Sequence, residues 1–288
     1  MSGNKLWTVV SMLEWATEYF ESKGVDNPRL SIEWLLADLL GVRRLDIYLK
    51  FDRPLSPSEL DQLRPRIKRR ALHEPLQHIT GSTEFMGLTL KVNRHVLIPR
   101  QETEQLVELI LKKHPHDPAK PIKLLDMGTG SGCIPIAVKK HRPDWHCAGI
   151  DISEKALVVA RDNAERCKAD VHFYLGDISD PQSIHDFTAS HWDIVVSNPP
   201  YILPEEKDTL DTQVWKYEPG IALFHEDPVL LYREIAAFAS SKNAELFLEL
   251  NNKIADRIRD EVMPYFGQTE LKADYDGNQR FLVGLKSS

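Results

Sequence analysis

From residue 121 onward, short apolar runs alternate with longer segments of helical periodicity, and this alternation constrains the fold more than any other feature. The strand-like runs read IKLLDM, WHCAGID, VHFYLGD, WDIVVSN, AELFLEL and a closing pair around DYDGNQRFLVGL. Strands separated by helices are joined by right-handed crossovers, which produce a parallel sheet covered by helices on both faces. The turn at Asp276-Gly277 indicates that the last two strands form an antiparallel hairpin at the sheet edge. We therefore predict an α/β fold with a doubly wound, mostly parallel sheet of seven strands.

The residues before this sheet show a helical pattern. Apolar residues recur at helical spacing between residues 6 and 20, and a second helix is predicted from Pro28 to Gly41. A third helix begins at the capping box of Ser56 and runs to about residue 72, although Pro65 should kink or break it. This part of the chain is therefore predicted to form a small helical bundle.

The periodicity changes again after residue 75. Phe85, Leu88 and Leu90 are spaced as in a strand pair, and Gly87 lies where a turn is needed, so a β-hairpin is predicted. We expect a helical domain over residues 1–75, a hairpin linker over 76–100 and the α/β domain over 101–288.

Composition and charge limit the classes of function. The chain has 288 residues, a net charge of -7 and three isolated cysteines, Cys133, Cys147 and Cys167. The acidic balance argues against a dedicated duplex-DNA binder, and isolated cysteines argue against a disulfide framework or a zinc knuckle. No apolar run approaches the ~18 residues needed to span a bilayer. We therefore expect a cytoplasmic protein without a membrane segment.

One predicted helix departs from the acidic balance. The third helix carries a basic cluster made of Arg64, Arg66, Lys68, Arg69 and Arg70. Such a run is either a solvated helix face or a surface that docks an anionic partner, for example a nucleic acid or a ribosome-associated one. The sequence leaves both interpretations open.

The run DIVVSNPPY, from Asp193 to Tyr201, carries the most specific chemistry. Its β-branched residues predict a buried strand, and Pro199 and Pro200 cannot extend a sheet because they lack an N–H group. Asn198 therefore lies at the carboxyl end of this strand, the edge at which open α/β sheets bind ligands. An amide oxygen, backbone carbonyls and an aromatic ring together suit a planar NH2 group, either a carboxamide or an exocyclic base amine.

A glycine-rich turn, DMGTGSG, follows the first strand of the sheet at residues 126–132. Its G-x-G-x-G spacing differs from the G-x-G-x-x-G that seats a pyrophosphate, and Asp126 would repel a diphosphate while attracting an ammonium group. Asp151 ends the second strand, where a carboxylate accepts from ribose hydroxyls, and Asp177 and Ile178 follow the third, where they suit an adenine. Adenine, ribose and an ammonium-bearing tail describe S-adenosylmethionine; a nicotinamide site and a purely structural turn are the alternatives.

Several motifs, in their order and spacing, resemble one known family. They are EPLQHITGSTEFMGLTLKVNRHVLIPRQETEQLVELI, LLDMGTGSG, GIDIS and VSNPPY. Together they resemble the release-factor glutamine methyltransferases, the PrmC/HemK family, over nearly the whole chain. VLIPRQETE is the most distinctive of them, because NPPY-type motifs also occur in amino-methylases of DNA. The chain departs from the family pattern at Met86, at Gln101 and in the stretch ELNNK, residues 249–253.

The resemblance implies a class I methyltransferase fold and a specific reaction. Family members use S-adenosylmethionine for N5-methylation of the glutamine in the Gly-Gly-Gln motif of peptide-chain release factors, and they release S-adenosylhomocysteine. The helical domain is expected to help recognise the release factor. Carried over to this sequence, the catalytic residues are Asn198, Pro199 and Tyr201, and the substrate-binding residues are Asn198, Pro200, Pro199 and Tyr201. The expected cofactor-binding residues are Asp126, Gly128, Thr129, Gly130, Ser131, Gly132, Asp151, Ile152, Asp177, Ile178 and Asn198.

Two other interpretations stay open from the sequence. In the first, the same fold methylates a nucleic-acid amine and the basic helix contacts phosphates. The acidic net charge and the lack of an obvious base-reading module count against stable nucleic-acid binding. In the second, the chain is a non-catalytic protein that binds the cofactor or acts in assembly, which the intact NPPY motif argues against. No metal site is expected, because His114 and His116 are not accompanied by further ligands at zinc spacing.

Overall fold

The computed structural model describes residues 6–180 and 191–286. In chain order its helices are α1 Val9–Glu21, α2 Pro28–Leu40, α3 Pro57–Ala71, α4 Leu76–Thr80, α5 Gln101–Lys113, α6 Cys133–His141, α7 Glu154–Cys167, α8 Thr212–Tyr217, α9 Gly220–Leu223, α10 Pro228–Ser241 and α11 Ala255–Val262. Its strands are β1 Ser82–Phe85, β2 Leu88–Lys91, β3 Lys123–Met127, β4 His146–Asp151, β5 Val171–Leu175, β6 Ile194–Ser197, β7 Glu245–Glu249, β8 Gln268–Ala273 and β9 Gln279–Leu285. Short 3-10 turns occupy Arg44–Lys50, Pro204–Thr209, Asn252–Ile254 and Met263–Tyr265.

The chain divides into two compact units. The first comprises Met1–Gly81 together with Asp211–Tyr217, and the second comprises Ser82–Leu210 and Glu218–Ser288. The predicted helical character of the amino-terminal part is confirmed, since α1 to α4 all belong to the first unit.

A kink or a break was predicted at Pro65; helix α3 runs through this residue without interruption, so the break is wrong. Ser56 caps its first turn and Glu59 returns a bond to the Ser56 backbone N–H, which completes the predicted capping box. Pro65 is exposed, so the carbonyl that loses its partner faces solvent, and the buried residues Leu63 and Ile67 on the opposite side hold the helix to the core.

The basic cluster of α3 is largely paired inside the first unit. Arg64 donates to Asp61 at 2.8 Å, Arg66 to Asp38 at 2.5 Å, and Arg69 to Glu74 at 2.5 Å. Arg70 is buried and donates to the Ser31 hydroxyl at 3.0 Å and to the carbonyl oxygens of Glu74 and Asp26 at 3.0 and 3.2 Å. Burial lowers the pKa of the Arg70 guanidinium, with Asp26 opposing the effect. Four of the five cations therefore have partners within their own unit.

The second unit contains a seven-stranded sheet with strand order β5-β4-β3-β6-β7-β9-β8. Strand β3 pairs in parallel with both β4 and β6, and β6 pairs in parallel with β7. Strand β9 is antiparallel to β7 and to the edge strand β8. The predicted α/β class, the mostly parallel sheet and the terminal antiparallel hairpin are confirmed.

Successive residues of the central strands enter two different cores, one on each face of the sheet. One core, which includes residues of α10 and α11, contains Leu125, Met127, Val195, Leu246 and Leu248. The other, which includes residues of α5 and α6, contains Leu124, Ile194, Val196 and Phe247. Burial on both faces explains why these strands read as continuous apolar runs in the sequence.

The β1–β2 hairpin is fixed to the sheet domain by Asn163 of α7. The turn is made by Met86 and Gly87, with φ of 49° and 73°, as the predicted turn at Gly87 requires. The fully buried Asn163 accepts from the Lys91 N–H at 2.7 Å and donates to the carbonyl oxygens of Lys91 and Ser131, both at 3.0 Å. One side chain therefore ties strand β2 to the glycine-rich turn.

Asn163→Ala should lower the free energy of unfolding by roughly 2–4 kcal/mol, because several partly or fully buried backbone groups lose their partner. Urea denaturation measures this loss. Arg161→Ala, on the exposed side of the same helix, removes only a surface pair with Glu154 and should cost less than about 1 kcal/mol. Equal losses in the two variants would contradict the assignment.

Candidate functional site

A cavity of about 270 Å³ lies in the second unit, at the carboxyl ends of the parallel strands. Of the residues predicted from the sequence it is lined by Gly128, Gly130, Asp151, Ile152, Asp177, Ile178, Asn198 and Pro200. It is also lined by residues that sequence reasoning missed, namely His95, Val96, Leu97, Ser153, Ala156, Ser179, Ile221, Ala222, Phe224, His225 and Leu231. The cavity therefore joins the two predicted motifs, the glycine-rich turn and NPPY, in one place.

The glycine-rich turn is shaped around the carboxylate of Asp151. Oδ2 of Asp151 accepts from the Gly130 N–H and Oδ1 accepts from the Ser153 N–H, both at 2.8 Å. Burial raises the pKa of Asp151, and these two backbone bonds oppose the rise. Each carboxylate oxygen keeps a further lone pair for a ligand hydroxyl.

Close contacts with neighbouring side chains leave little room for a Cβ at two glycines of this region. A Cβ at Gly149 in β4 would lie 2.6 Å from the Thr129 hydroxyl oxygen. Gly132 has φ of +78°, and a Cβ there would lie 3.0 Å from both Ile136 and Phe173. The glycine-rich turn therefore packs closely against the sheet.

Asp126, at the end of β3, is buried with both carboxylate oxygens lacking a hydrogen-bond partner among the described residues. Burial raises the pKa of Asp126 to about 7; the nearby Thr129 hydroxyl opposes the rise and the Asp151 carboxylate adds to it. An unpartnered buried carboxylate beside a ligand cavity is suited to a cationic ligand group. Four of the predicted residues, Asp126, Thr129, Ser131 and Gly132, are not among the residues that line the cavity.

Asn198 is held by residues from two distant parts of the chain. Its Nδ2 donates to the Thr103 hydroxyl at 3.2 Å, and that hydroxyl donates to Oε2 of Glu249 at 2.8 Å. One of the two amide hydrogens is used in this way, so the nitrogen is turned towards Thr103 and the Asn198 oxygen is the acceptor left for a ligand. This arrangement supports the predicted role of Asn198 as a hydrogen-bond acceptor.

The other two predicted catalytic residues, Pro199 and Tyr201, lie one and three positions after Asn198. Pro199 is buried, whereas Tyr201 is partly buried and packs against the core that includes residues of α10 and α11. Burial raises the pKa of the Tyr201 phenol to about 12, and the Glu249 carboxylate adds to the rise. Ile202 forms an isolated parallel β-bridge with Phe224, so the segment after NPPY lies beside residues that line the cavity.

The segment VLIPRQETE anchors the cavity through three contacts. Arg100 pairs with the buried carboxylate of Glu218, which also accepts from the Ile98 N–H at 3.0 Å. Glu104 accepts from the Met86 N–H at 2.5 Å and so secures the hairpin turn. This segment was distinctive in the sequence, but the sequence assigned it no contact. The cavity-lining residues His95 to Leu97 come directly before Ile98, the first residue of the segment that makes one of these contacts. For Ile221, Ala222, Phe224 and His225 the sequence carried no comparable signal.

The structure also bears on metals and membranes. Across residues 6–180 and 191–286, no three His, Cys, Asp or Glu side chains gather closely enough to hold a metal ion. His114 instead contacts Glu245 at 3.0 Å and His116 contacts Asp144. Among the helices described, none is long and apolar enough to cross a bilayer.

Two family profiles match separate parts of the chain. Residues 11–81 match the family described as PrmC N-terminal domain, and residues 101–215 match the methyltransferase small domain. A relative from Geobacter sulfurreducens, named release factor glutamine methyltransferase, is 42% identical over 76% of this chain and 74% of its own length. A second relative of the same name, from Chlorobaculum tepidum, is 36% identical over 98% of both chains.

Solved structures confirm the fold at much lower identity. The catalytic domain of hMettl16, solved in complex with MAT2A 3'UTR hairpin 1, matches with a TM-score of 0.58. It is 12% identical, and the match covers 94% of this chain and 91% of that one. This likeness concerns the fold alone.

Asp126→Asn should reduce the pH dependence of stability of the ligand-free protein. Because the folded protein holds the proton of Asp126 up to about pH 7, whereas the unfolded chain releases it near pH 4, stability falls as the pH rises through this window. The free energy of unfolding falls by roughly 3–4 kcal/mol over this window, and the whole loss is present above the pKa of the folded protein. Urea denaturation between pH 4 and about pH 8 measures it. Asp276→Asn, at an exposed turn, is the control; an unchanged pH dependence in Asp126→Asn would contradict the assignment.

Gly149→Ala should lower stability by about 1–3 kcal/mol and weaken cofactor binding, because the new methyl group displaces Thr129 and the glycine-rich turn. Gly220→Ala is the matched control, since its Cβ would meet only Phe224, at 3.8 Å. Thermal denaturation and calorimetric titration with S-adenosylhomocysteine separate the two effects. Unaltered binding in Gly149→Ala would show that the turn is less constrained than the contacts imply.

Proposed function

Because the chain belongs to the family of release factor glutamine methyltransferases, we propose that it transfers a methyl group from S-adenosylmethionine to a glutamine side chain of a peptide-chain release factor. The acceptor is the N5 amide nitrogen of the glutamine in the Gly-Gly-Gln motif. The observation that carries the proposal is the amide of Asn198, which lies on the cavity wall beside the glycine-rich turn with its nitrogen already bonded to Thr103.

The cavity fits S-adenosylmethionine in its charges and in its apolar surface. Asp151 ends β4 and Ile152 follows it, and Asp177 and Ile178 follow β5, so carboxylates and apolar side chains lie side by side where ribose and adenine would bind. The unpartnered carboxylate of Asp126 suits the ammonium group of the cofactor. When bound, the cofactor supplies a methyl group on a positively charged sulfur.

The residues of NPPY hold and orient the acceptor. A carboxamide nitrogen is a poor nucleophile because its lone pair is delocalised into the carbonyl group. The Asn198 side-chain oxygen and the Pro199 backbone carbonyl each accept one amide hydrogen, which directs the nitrogen towards the methyl donor. As the nitrogen gains positive character these two hydrogen bonds strengthen, so they stabilise the transition state more than the bound substrate. Once the N–CH3 bond has formed and the S–CH3 bond has broken, the nitrogen releases one of its two protons, which restores a neutral amide. Tyr201, with its phenol neutral, orients the amide plane.

The competing acceptor, an amine of a nucleic-acid base, would need a cationic surface for phosphates. The arginines at positions 64, 66, 69 and 70 are instead engaged by acidic side chains or backbone carbonyls of their own unit. This pairing favours a protein acceptor and argues against stable nucleic-acid binding. In this proposal the helical domain, residues 1–75, helps to recognise the release factor. The hairpin linker, residues 76–100, joins it to the methyltransferase domain, residues 101–288. The reaction takes place in the cytoplasm.

Mass spectrometry of a recombinant release factor, incubated with the protein and S-adenosylmethionine, tests the acceptor. A mass increase of one methyl group, mapped by peptide fragmentation to the Gly-Gly-Gln glutamine, is the expected result. DNA and RNA are incubated in parallel with tritiated cofactor. Label in nucleic acid with an unmodified release factor would overturn the proposal.

Asn198→Ala should reduce methyl transfer by about 10²- to 10³-fold, because one of the two hydrogen bonds to the reacting amide is lost. Cofactor affinity, measured by calorimetry, should stay within a few-fold of the wild-type value. Gln268→Ala removes an exposed amide from the edge strand and serves as the control. Loss of cofactor binding with normal turnover of the bound complex would contradict the assigned role.

A further inference from the structure

A chain of hydrogen bonds links Asn198 to a buried carboxyl group that the proposed reaction does not use. Thr103 lies between the two, in the first turn of α5, and Glu249 ends strand β7. Thr103 and Glu249 are 3% and 2% exposed. Both belong to segments that the sequence singled out, VLIPRQETE and ELNNK.

The chemistry of the three groups fixes the direction of this chain. A carboxylate has no proton to give, so the Thr103 hydroxyl must donate its only hydrogen to Glu249. The hydroxyl oxygen is then restricted to accepting, and the Asn198 atom that faces it must be the NH2 group. A flipped Asn198 would place two acceptor oxygens in contact without a hydrogen between them.

We propose that Thr103 and Glu249 are positioning residues which hold the side-chain oxygen of Asn198 towards the glutamine amide. The inference rests on the proposed function, because the orientation matters only if Asn198 accepts from the acceptor amide. With the opposite orientation, Asn198 would present an NH2 group to the substrate NH2 group, and the hydrogen bond that directs the nitrogen would be lost.

Glu249 is itself held by its surroundings. The hydroxyl of Tyr232, in α10, donates to the Glu249 backbone oxygen at 2.8 Å. The charged groups that face the carboxyl group are Arg100 before α5, Glu102 in α5 and Arg280 in β9, and the Tyr201 phenol is also close. Arg280 is shared with Asp274, to which it donates at 3.3 Å. The carboxyl group therefore has one direct side-chain bond, the one from Thr103, among the hydrogen bonds of the described residues.

Protonation of Glu249 reverses the direction of the chain. Burial raises the pKa of Glu249 to about 7; the Thr103 bond, Arg280 and Arg100 oppose the rise, and Glu102 adds to it. A protonated Glu249 donates to Thr103, whose hydroxyl hydrogen is then free to bond the Asn198 oxygen instead. The orientation that accepts the substrate amide is favoured when Glu249 is ionised, so turnover should rise with pH through this range.

A pair of substitutions at Thr103 tests the positioning role in the full chain. Thr103→Val keeps the shape and removes the hydroxyl; it should lower kcat for a release factor by about 10- to 100-fold. Thr103→Ser restores the hydroxyl and should recover kcat to within a few-fold of wild type. Calorimetric affinity for S-adenosylhomocysteine should be similar in all three proteins and serves as the check that the site is folded. Equal kcat values for Val and Ser, whether both normal or both reduced, would overturn the inference.

Glu249→Gln provides an independent readout. At saturating cofactor and release factor, the rise of kcat through about pH 7 in the wild type should be absent from the variant. Persistence of the same rise in Glu249→Gln would show that another group controls it and would overturn the role of Glu249. Failure of the wild type to modify the glutamine would instead contradict the proposed function, so the two failures are distinguishable.

Discussion

The parallel pairing of β3 with both β4 and β6 is the constraint on which the candidate site depends. Leu124 pairs with Cys147 on one side and with Ile194 on the other, so the three strands end at one edge. The Ser197 hydroxyl donates to the Met127 carbonyl at 2.5 Å and continues the contact beyond the last ladder pair. This edge is where the strand order reverses, and it leaves a crevice between the loops that follow β3 and β6.

Two ionisable side chains are buried near this edge of the sheet, although a well-packed core usually excludes such groups. Asp126 and Glu249 are both buried carboxyl groups with pKa values raised by desolvation, one without a partner among the described residues and the other bonded to a single hydroxyl. Such groups lower the stability of the ligand-free protein, since a buried charge is costly unless it is paired. We propose that Asp126 serves cofactor binding and that Glu249 serves the orientation of Asn198.

Much of the second unit was predictable, because burial on both faces gives each central strand an uninterrupted apolar run. IKLLDM, WDIVVSN and AELFLEL correspond to β3, β6 and β7, and Asp276-Gly277 lies in the turn between β8 and β9. The break predicted at Pro65 does not occur, because the packing of Leu63 and Ile67 keeps α3 continuous. The local effect of a proline does not take such tertiary packing into account. The roles of Arg66 and Arg70 were likewise undecided until their partners Asp38 and Ser31 were known.

The sequence by itself determined the fold class, the glycine-rich turn and the position of Asn198 at the end of a strand, because periodicity and the lack of a proline N–H are local properties. Only the tertiary structure decided which atom of Asn198 is available. The available atom depends on Thr103, which is 95 residues from Asn198 in the chain, and on Glu249, which is 146 residues from Thr103. Contacts between side chains so far apart in the chain arise from the order of the strands, and no local pattern in the sequence specifies them.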